Sequence, residues 1–196
     1  KMENGTYHQY YKDCDEDIKT LFDIKNMELC PDGYEPVHSM NEYYVSTFEA
    51  KGSDEVFEKM HVDGPFGFMP FQLLRCIVVL EPNSRVITNI PSQDFSRALK
   101  REEYVMFDYN RDLHYIFIAD GEETSPRVVL KLHYVRKQDY YKLFVLLCVI
   151  WNTFARFIFI ASKNPVTWYQ KATAFVINRT TEVVAKFNTL GSKYKL

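Results

Sequence analysis

Two residues in the sequence HVDGPF, His61 and Asp63, carry side chains that bind divalent metal ions. Residues two apart in an extended segment point to the same side, so both side chains would reach one ion from one direction. The pair alone is a weak signal, because such pairs also arise by chance and polar residues are common beside a turn such as Gly64-Pro65. The metal hypothesis therefore depends on a third ligand elsewhere in the chain.

Two other histidines are candidates for that third ligand. His114 begins the apolar run LHYIFIA, and His133 lies within RVVLKLHYV. Two imidazoles and one carboxylate on one face of an iron ion leave the opposite positions open for a co-substrate and oxygen. The residue pattern by itself leaves both histidines open.

Residues 41–136 have the pattern of an all-β domain. Short β-branched and aromatic runs are separated by turn residues, and no long helix intervenes, which is typical of an antiparallel barrel or sandwich. Residues 92–103 are predicted to form one short helix between strands, with Ser92 as its cap. The predicted strands are 42–50, 71–81, 85–90, 104–110, 113–119 and 127–135.

The first 40 residues form an acidic segment in which we predict one short helix. The acidic cluster at 13–17 suits a helix start, and Ile18, Leu21 and Phe22 would share one face. A disulfide between Cys14 and Cys30 is left open by the sequence.

The last part of the chain, residues 140–196, changes character. Residues 143–161 form an apolar run interrupted by Asn152, Thr153 and Arg156, and a helix of about 19 residues spans roughly 30 Å. We therefore predict a transmembrane helix there, with Asn152 and Arg156 contacting neighbouring transmembrane helices. An amphipathic helix is predicted over 164–190, so the chain would be membrane-attached as a single-pass or monotopic protein.

Composition excludes several other functions. The net charge is −2, and no basic stripe interleaved with aromatic residues is present, so nucleic acid is not an expected partner. The four cysteines form no CxxC pair, which argues against a structural zinc site, and Cys76 and Cys148 are predicted to be buried thiols. Motifs of serine hydrolases, phosphate-binding loops, dinucleotide-binding folds and zinc proteases are absent from the sequence.

Five segments taken in order resemble the core of the iron(II)- and 2-oxoglutarate-dependent dioxygenases, in particular the prolyl-hydroxylase-like branch. The segments are YYVSTFEAKG, HVDGPF, FQLLRCIVVLEPNS, EEYVMFDYNRDLHYIFIADG and RVVLKLHYV. The resemblance covers about residues 41–136. It implies a double-stranded β-helix, or jelly roll, with a short N-terminal helical segment and the membrane-associated tail as additions.

The same resemblance implies a site. His61, Asp63 and His114 match the three iron ligands, and Arg127 matches the basic residue that binds the far carboxylate of 2-oxoglutarate. The interval between His114 and Arg127 is longer than in the family pattern, and Lys131, on the same strand face, is an alternative partner for that carboxylate. A tyrosine would hydrogen-bond the co-substrate. Tyr44 is the first candidate for this role, and Tyr43 and Tyr115 are the alternatives.

The function expected from this resemblance is that of a membrane-anchored hydroxylase using Fe(II) and 2-oxoglutarate on an unidentified substrate. The alternative is a non-catalytic accessory subunit of a membrane complex that retains the jelly roll. A third option is a cupin-like metal-binding module without oxygen chemistry. Fold alone does not decide between them.

Overall fold

The computed structural model describes residues 6–46, 60–138 and 141–162, with residues 168, 171 and 172. For residues 6 and 156–162 the description covers the backbone alone. Apart from residues 168, 171 and 172, the helix predicted over 164–190 therefore lies outside what is described, as does the predicted contact of Arg156 with a membrane helix.

Nine strands and two longer helices make up the described fold. The helices are α1 (Glu16–Leu29) and α2 (Tyr141–Ser162). The strands are β1 (Thr6–Tyr10), β2 (Tyr34–Pro36), β3 (Glu42–Ser46), β4 (Leu73–Glu81), β5 (Val86–Ile90), β6 (Phe95–Ala98), β7 (Tyr104–Asp108), β8 (Tyr115–Ile118) and β9 (Arg127–Arg136).

The strands form two antiparallel sheets. The larger sheet has the order β1-β3-β9-β4-β7, with β2 also paired to β9, and the smaller has the order β6-β5-β8. An isolated antiparallel bridge between His61 and His114 adds the segment before β4 to the smaller sheet, next to β8. If the strands are renumbered along the chain from β3, with the His61 segment as strand 2, the larger sheet from β3 to β7 has the order 1-8-3-6 and the smaller sheet has the order 5-4-7-2. This is the arrangement of a jelly roll. The predicted jelly-roll fold is confirmed by this strand order.

The larger sheet is covered on both faces, because side chains alternate along each strand. Its inner face meets the smaller sheet through an apolar cluster that includes Ile77, Phe107, Val129 and Ile90. Its outer face is covered by α1, whose Phe22 is fully buried against a cluster of Cys14, Cys76, Val78, Leu130, Leu132 and Tyr134.

The N-terminal segment is therefore part of the β domain rather than an appendage. Strand β1 pairs with β3, and the acidic cluster begins α1 as predicted, with the backbone N–H of Ile18 donating to Asp15 Oδ1 at 2.9 Å. Cys14 and Cys30 are both free thiols, so the disulfide that the sequence left open is absent. Cys76 and Cys148 are buried, as predicted.

The helix predicted at 92–103 is wrong. Residues 91–93 form a single 3-10 turn, Asp94 takes a left-handed conformation with φ of 52°, and β6 follows at once. The physical reason is long-range pairing, because β6 hydrogen-bonds along β5 from Ile90 to Ile87 and this overrides local helical preference.

Helix α2 packs on the end of the larger sheet where β9 finishes. Its residues Phe144, Cys148 and Asn152, four apart, are buried and share one face. The apolar cluster on that face contains Val37, Met40, Leu73, Tyr109, Val135, Phe144 and Cys148. The opposite face exposes Leu143, Leu146, Ile150 and Phe154, each by more than half.

This placement differs from the prediction that residues 143–161 form a transmembrane helix. Over 144–152 the segment closes the β domain, because its inner stripe matches the apolar end of the sheet. Among the described residues, no helix combines the length and the apolar character that crossing a membrane requires.

Candidate metal centre

Two of the predicted ligands are brought together by backbone pairing. The N–H of His61 donates to the carbonyl of His114 at 3.0 Å, and the N–H of His114 donates to the carbonyl of His61 at 2.9 Å. Residues paired in this way have side chains on the same face. The two imidazole rings lie 4.6 Å apart between centroids, and both residues are buried.

The loop that carries Asp63 is held from two sides. The N–H of Gly64 donates to the carbonyl of Tyr109 at 3.0 Å, and the indole N–H of Trp151 donates to the carbonyl of Asp63 at 2.9 Å. A Cβ at Gly64 would stand 2.2 Å from Asn110 Oδ1 and 2.5 Å from the Tyr109 ring. Glycine is needed there because the loop lies directly against the strand end.

The three predicted ligands converge. Ligand atoms of His61, Asp63 and His114 all lie within 4.8 Å of one another. The Nε2 atom of His114 is 3.3 Å from Asp63 Oδ2, and that of His61 is 3.9 Å from Asp63 Oδ1. Neighbouring donors around an octahedral ion with bonds of about 2.1 Å are about 3.0 Å apart, so this spacing suits one metal ion after small adjustments.

The ring nitrogen of His114 that faces away from the metal position also has a hydrogen-bond partner. Nδ1 of His114 lies 3.1 Å from the carbonyl of Asp112. A proton on Nδ1 donates to that carbonyl, which leaves the lone pair of Nε2 directed toward Asp63 and the metal position.

Asp63 is paired with a buried arginine on β4. Nη1 of Arg75 donates to Asp63 Oδ2 at 2.7 Å, and the side chains are 8% and 14% exposed. Burial alone would raise the pKa of Asp63, but the charges of Arg75 and the imidazoles outweigh it and hold that pKa well below its usual range. Asp63 is therefore an anion that retains a second oxygen, Oδ1, for a cation.

His133, the other candidate for the third ligand, has a structural role. It is fully buried, and its Nε2 accepts a hydrogen bond from Nε of Arg75 at 2.9 Å. Burial, and then the charge of Arg75, hold the pKa of His133 well below its usual range. Its imidazole is neutral, and its acceptor nitrogen already has a donor.

A second buried polar group lies beside the metal position and centres on Glu42. This carboxylate contacts Nε2 of His8 at 2.8 Å, Nζ of Lys131 at 3.3 Å and Nδ2 of Asn152 at 3.0 Å. Burial would raise the pKa of Glu42, but the charges of Lys131 and His8 hold it well below its usual range.

These contacts distinguish Lys131 from Arg127, the two predicted partners of the co-substrate carboxylate. Lys131 is already neutralised by Glu42, and its ammonium also lies 4.3 Å from the centroid of the Tyr44 ring. Arg127 is 6% exposed, and its one side-chain hydrogen bond within the described residues is a long one of 3.5 Å to Thr88 Oγ1. Burial lowers the pKa of Arg127 to about 10.

Strand pairing relates Arg127 to the metal position through the smaller sheet. Thr88, which it contacts, pairs with Ile116 on β8. Ile116 is two residues from His114, about 7 Å along an extended chain and on the same face. A short dicarboxylate would span such a separation. Among the described residues, no carboxylate lies within ion-pair distance of this arginine.

Arg75, a lone cation in the apolar strand LLRCIVVLE, is predicted from the sequence to have a buried partner, but the sequence does not identify that partner as Asp63. The parts played by Trp151 and Asn152 were missed. Asn152 was predicted to contact a neighbouring membrane helix, but its amide is bonded within the domain to Arg75, Tyr109 and Glu42.

Comparison with known proteins adds little to this geometry. The sequence matches no protein-family model and no curated protein. Among solved structures, the chain is similar to an RmlC-like cupin protein from Desulfovibrio desulfuricans, with 13% sequence identity and a TM-score of 0.26, over 53% of this chain and 79% of the other. A likeness at that score carries no argument about function, and the jelly-roll assignment depends on the strand order.

Proposed function

We propose that the protein is a hydroxylase that uses Fe(II) and 2-oxoglutarate, with His61, Asp63 and His114 as the metal ligands. The observation that carries the proposal is the convergence of these three side chains within 4.8 Å inside a jelly roll. A second observation supports the co-substrate, because Arg127 is a buried cation that no described carboxylate neutralises.

The donor set fits the proposed metal. Two imidazoles and one carboxylate on one side of Fe(II) leave open positions for 2-oxoglutarate and oxygen, and the bound ion then supplies the oxidative chemistry. The balanced reaction converts 2-oxoglutarate, O₂ and a substrate C–H group into succinate, CO₂ and a C–OH group. Both oxygen atoms are accounted for, one in succinate and one in the hydroxylated product.

The chain's own residues supply positioning in this reaction. Arg127 would bind the far carboxylate of 2-oxoglutarate through its two-pronged guanidinium, which fixes the direction of the co-substrate. The hydrogen bond from His114 to Asp112 fixes the tautomer that leaves Nε2 free to bind. The apolar inner face around Phe107 and Ile77 keeps bulk water away.

Metal titration tests the proposal directly. We expect the chain to bind one Fe(II) or Co(II) per molecule without oxygen, and His61→Ala and His114→Ala to weaken binding by about 100-fold or more. The control is His38→Ala, because His38 is 45% exposed and outside the cluster. Folded chain that binds no metal, or ligand variants that match the control, would contradict the site.

Co-substrate binding gives a second prediction that separates Arg127 from Lys131. Arg127→Met removes a buried and unneutralised charge, so we expect unfolding stability to be unchanged or to rise by about 1 kcal/mol, while 2-oxoglutarate binding is lost. Lys131→Met leaves Glu42 without its lysine, so this variant should be less stable. Calorimetric titration of the metal-loaded chain with 2-oxoglutarate, together with urea unfolding, measures both effects. Retained 2-oxoglutarate binding in Arg127→Met would exclude Arg127 as the carboxylate partner.

Membrane association and the accessory-subunit role stay predictions. The exposed apolar face of α2, with Leu143, Leu146, Ile150 and Phe154, is the feature that favours them. An accessory subunit would not consume 2-oxoglutarate, and absence of metal binding in the folded chain would favour that role. Formation of succinate by the metal-loaded chain therefore distinguishes the hydroxylase from both the accessory subunit and a metal-binding module.

A further inference from the structure

We propose that Trp151 and Asn152 of α2 are positioning residues for the metal ligand Asp63, so that metal affinity depends on the docking of this helix. This inference rests on the proposed metal site. It goes beyond the site's ligands, because neither residue is placed to bind the ion or the co-substrate.

Trp151 fixes the backbone at the ligand. Its indole N–H donates to the carbonyl of Asp63 at 2.9 Å, and the residue is partly buried against the apolar cluster that joins α2 to the sheet. The segment around Asp63 has no regular strand or helix to hold it, apart from the single bridge at His61. The tryptophan therefore supplies a fixed point from another element.

Asn152 acts on the side chain of the same ligand through Arg75. Its Oδ1 accepts from Nη2 of Arg75 at 3.3 Å and from the hydroxyl of Tyr109 at 3.1 Å, and its Nδ2 donates to Glu42. The planar guanidinium of Arg75 is thus held at Nε by His133, at Nη2 by Asn152 and at Nη1 by Asp63.

That three-way attachment decides which carboxylate oxygen faces the metal position. A guanidinium is rigid, so fixing two of its nitrogens fixes the direction of the third. Nη1 of Arg75 then donates to Oδ2 of Asp63, and Oδ1 is the oxygen on the side of His61. Loss of Asn152 would allow the guanidinium to turn and the carboxylate to follow it.

Both contacts come from adjacent residues of one helix, so a movement of α2 changes them together. If docking of α2 favours metal binding, then metal binding must favour docking of α2 by the same free energy. This reciprocity gives two independent measurements, one on variants and one on the unaltered chain.

The first measurement is the Co(II) dissociation constant of Trp151→Phe, which loses the N–H donor and keeps most of the ring. We expect binding about 10-fold weaker than in the wild type, with a shifted Co(II) visible spectrum. Val149→Ala controls for lost packing on α2. Thr153→Val controls for a lost hydrogen bond, because its exposed hydroxyl donates to the carbonyl of Val149. Affinity within twofold of the wild type in Trp151→Phe would overturn the proposal.

The second measurement is amide hydrogen exchange of the wild-type chain with and without Co(II). We expect metal to slow exchange of the α2 amides over 148–155, in addition to those near the ligands. Unchanged exchange there would also overturn the coupling. Failure of the wild-type chain to bind Co(II) is a separate result, which overturns the metal site itself and the positioning role with it.

Discussion

Replacing Arg75 with methionine is expected to lower the free energy of unfolding by about 3–5 kcal/mol at neutral pH, measured by urea unfolding with a chelator present. Methionine fills much of the same volume, so the expected loss is electrostatic. Arg75 neutralises the largely buried carboxylate of Asp63 and donates to His133 and Asn152. Removing it leaves a buried anion without its cation and Nε2 of His133 without a donor, while Asn152 Oδ1 keeps the hydroxyl of Tyr109 as its donor.

Arg101→Met is the matched control for this change. Arg101 also pairs with a carboxylate, that of Glu81, but the two side chains are 61% and 51% exposed. Water screens such a pair, so its removal should change stability little. If Arg75→Met and Arg101→Met had equal free energies of unfolding, the buried Arg75–Asp63 pair would contribute no more to stability than an exposed pair. That result would contradict the stabilising role given to the buried network.

Glu42→Gln is expected to lower the free energy of unfolding by about 3 kcal/mol, because it leaves the largely buried Lys131 beside an uncharged partner. Burial lowers the pKa of Lys131, and Glu42 is the main charge that opposes this effect. The double variant Glu42→Gln, Lys131→Met should therefore be more stable than Glu42→Gln alone, since the uncompensated cation is gone. Glu28→Gln serves as the control, because Glu28 and Lys25 form a more exposed pair on α1. A double variant as unstable as the sum of the two single variants would contradict direct pairing.

The same carboxylate predicts the direction of a pH effect. The pKa of Glu42 is well below its ordinary value of 4.5 in the folded chain, despite the opposing effect of burial. Its contribution to stability is therefore complete above about pH 4.5 and is lost as the pH falls below that value. Between pH 5 and 3 the wild type should lose stability more steeply than Glu42→Gln. Asp63, whose pKa is also lowered, adds a loss of the same sign that the variant keeps. Parallel curves for the two proteins would exclude the contribution of Glu42.

Most of the jelly roll could be predicted from local pattern, and the misses have a common cause. Strands β3, β4, β5, β7 and β8 lie within predicted runs, and β9 extends one residue beyond its run, because each is a β-branched or aromatic stretch with turn residues near its ends. Strands β1 and β2 lie in the segment that was predicted as acidic and helical, and β6 lies in the run that was predicted as a helix, so local pattern did not reveal them. These short strands are strands because of the partner that each pairs with, and the partner is not a local property.

Two of the candidate metal ligands were accessible from the sequence by simple geometry, because His61 and Asp63 are two apart. The third, His114, was implied by the family resemblance, and the structure places all three together at one end of the smaller sheet. Tertiary structure decided what the pattern left open. Arg75 donates to Nε2 of His133, and Glu42 pairs with Lys131, which leaves His114 as the candidate third ligand and Arg127 as the candidate partner for an anion.

The amino-acid sequence alone therefore determined the β architecture and the candidate ligand pair His61 and Asp63, since both depend on periodicities of two residues and on short turns, and the family resemblance added His114. Only the tertiary structure decided the place of the apolar helix. Residues 144, 148 and 152 share a face in any environment, but whether that face meets lipid or protein depends on a complementary surface elsewhere. Here that surface is the end of the larger sheet, where Asn152 reaches Arg75 across 77 positions of sequence.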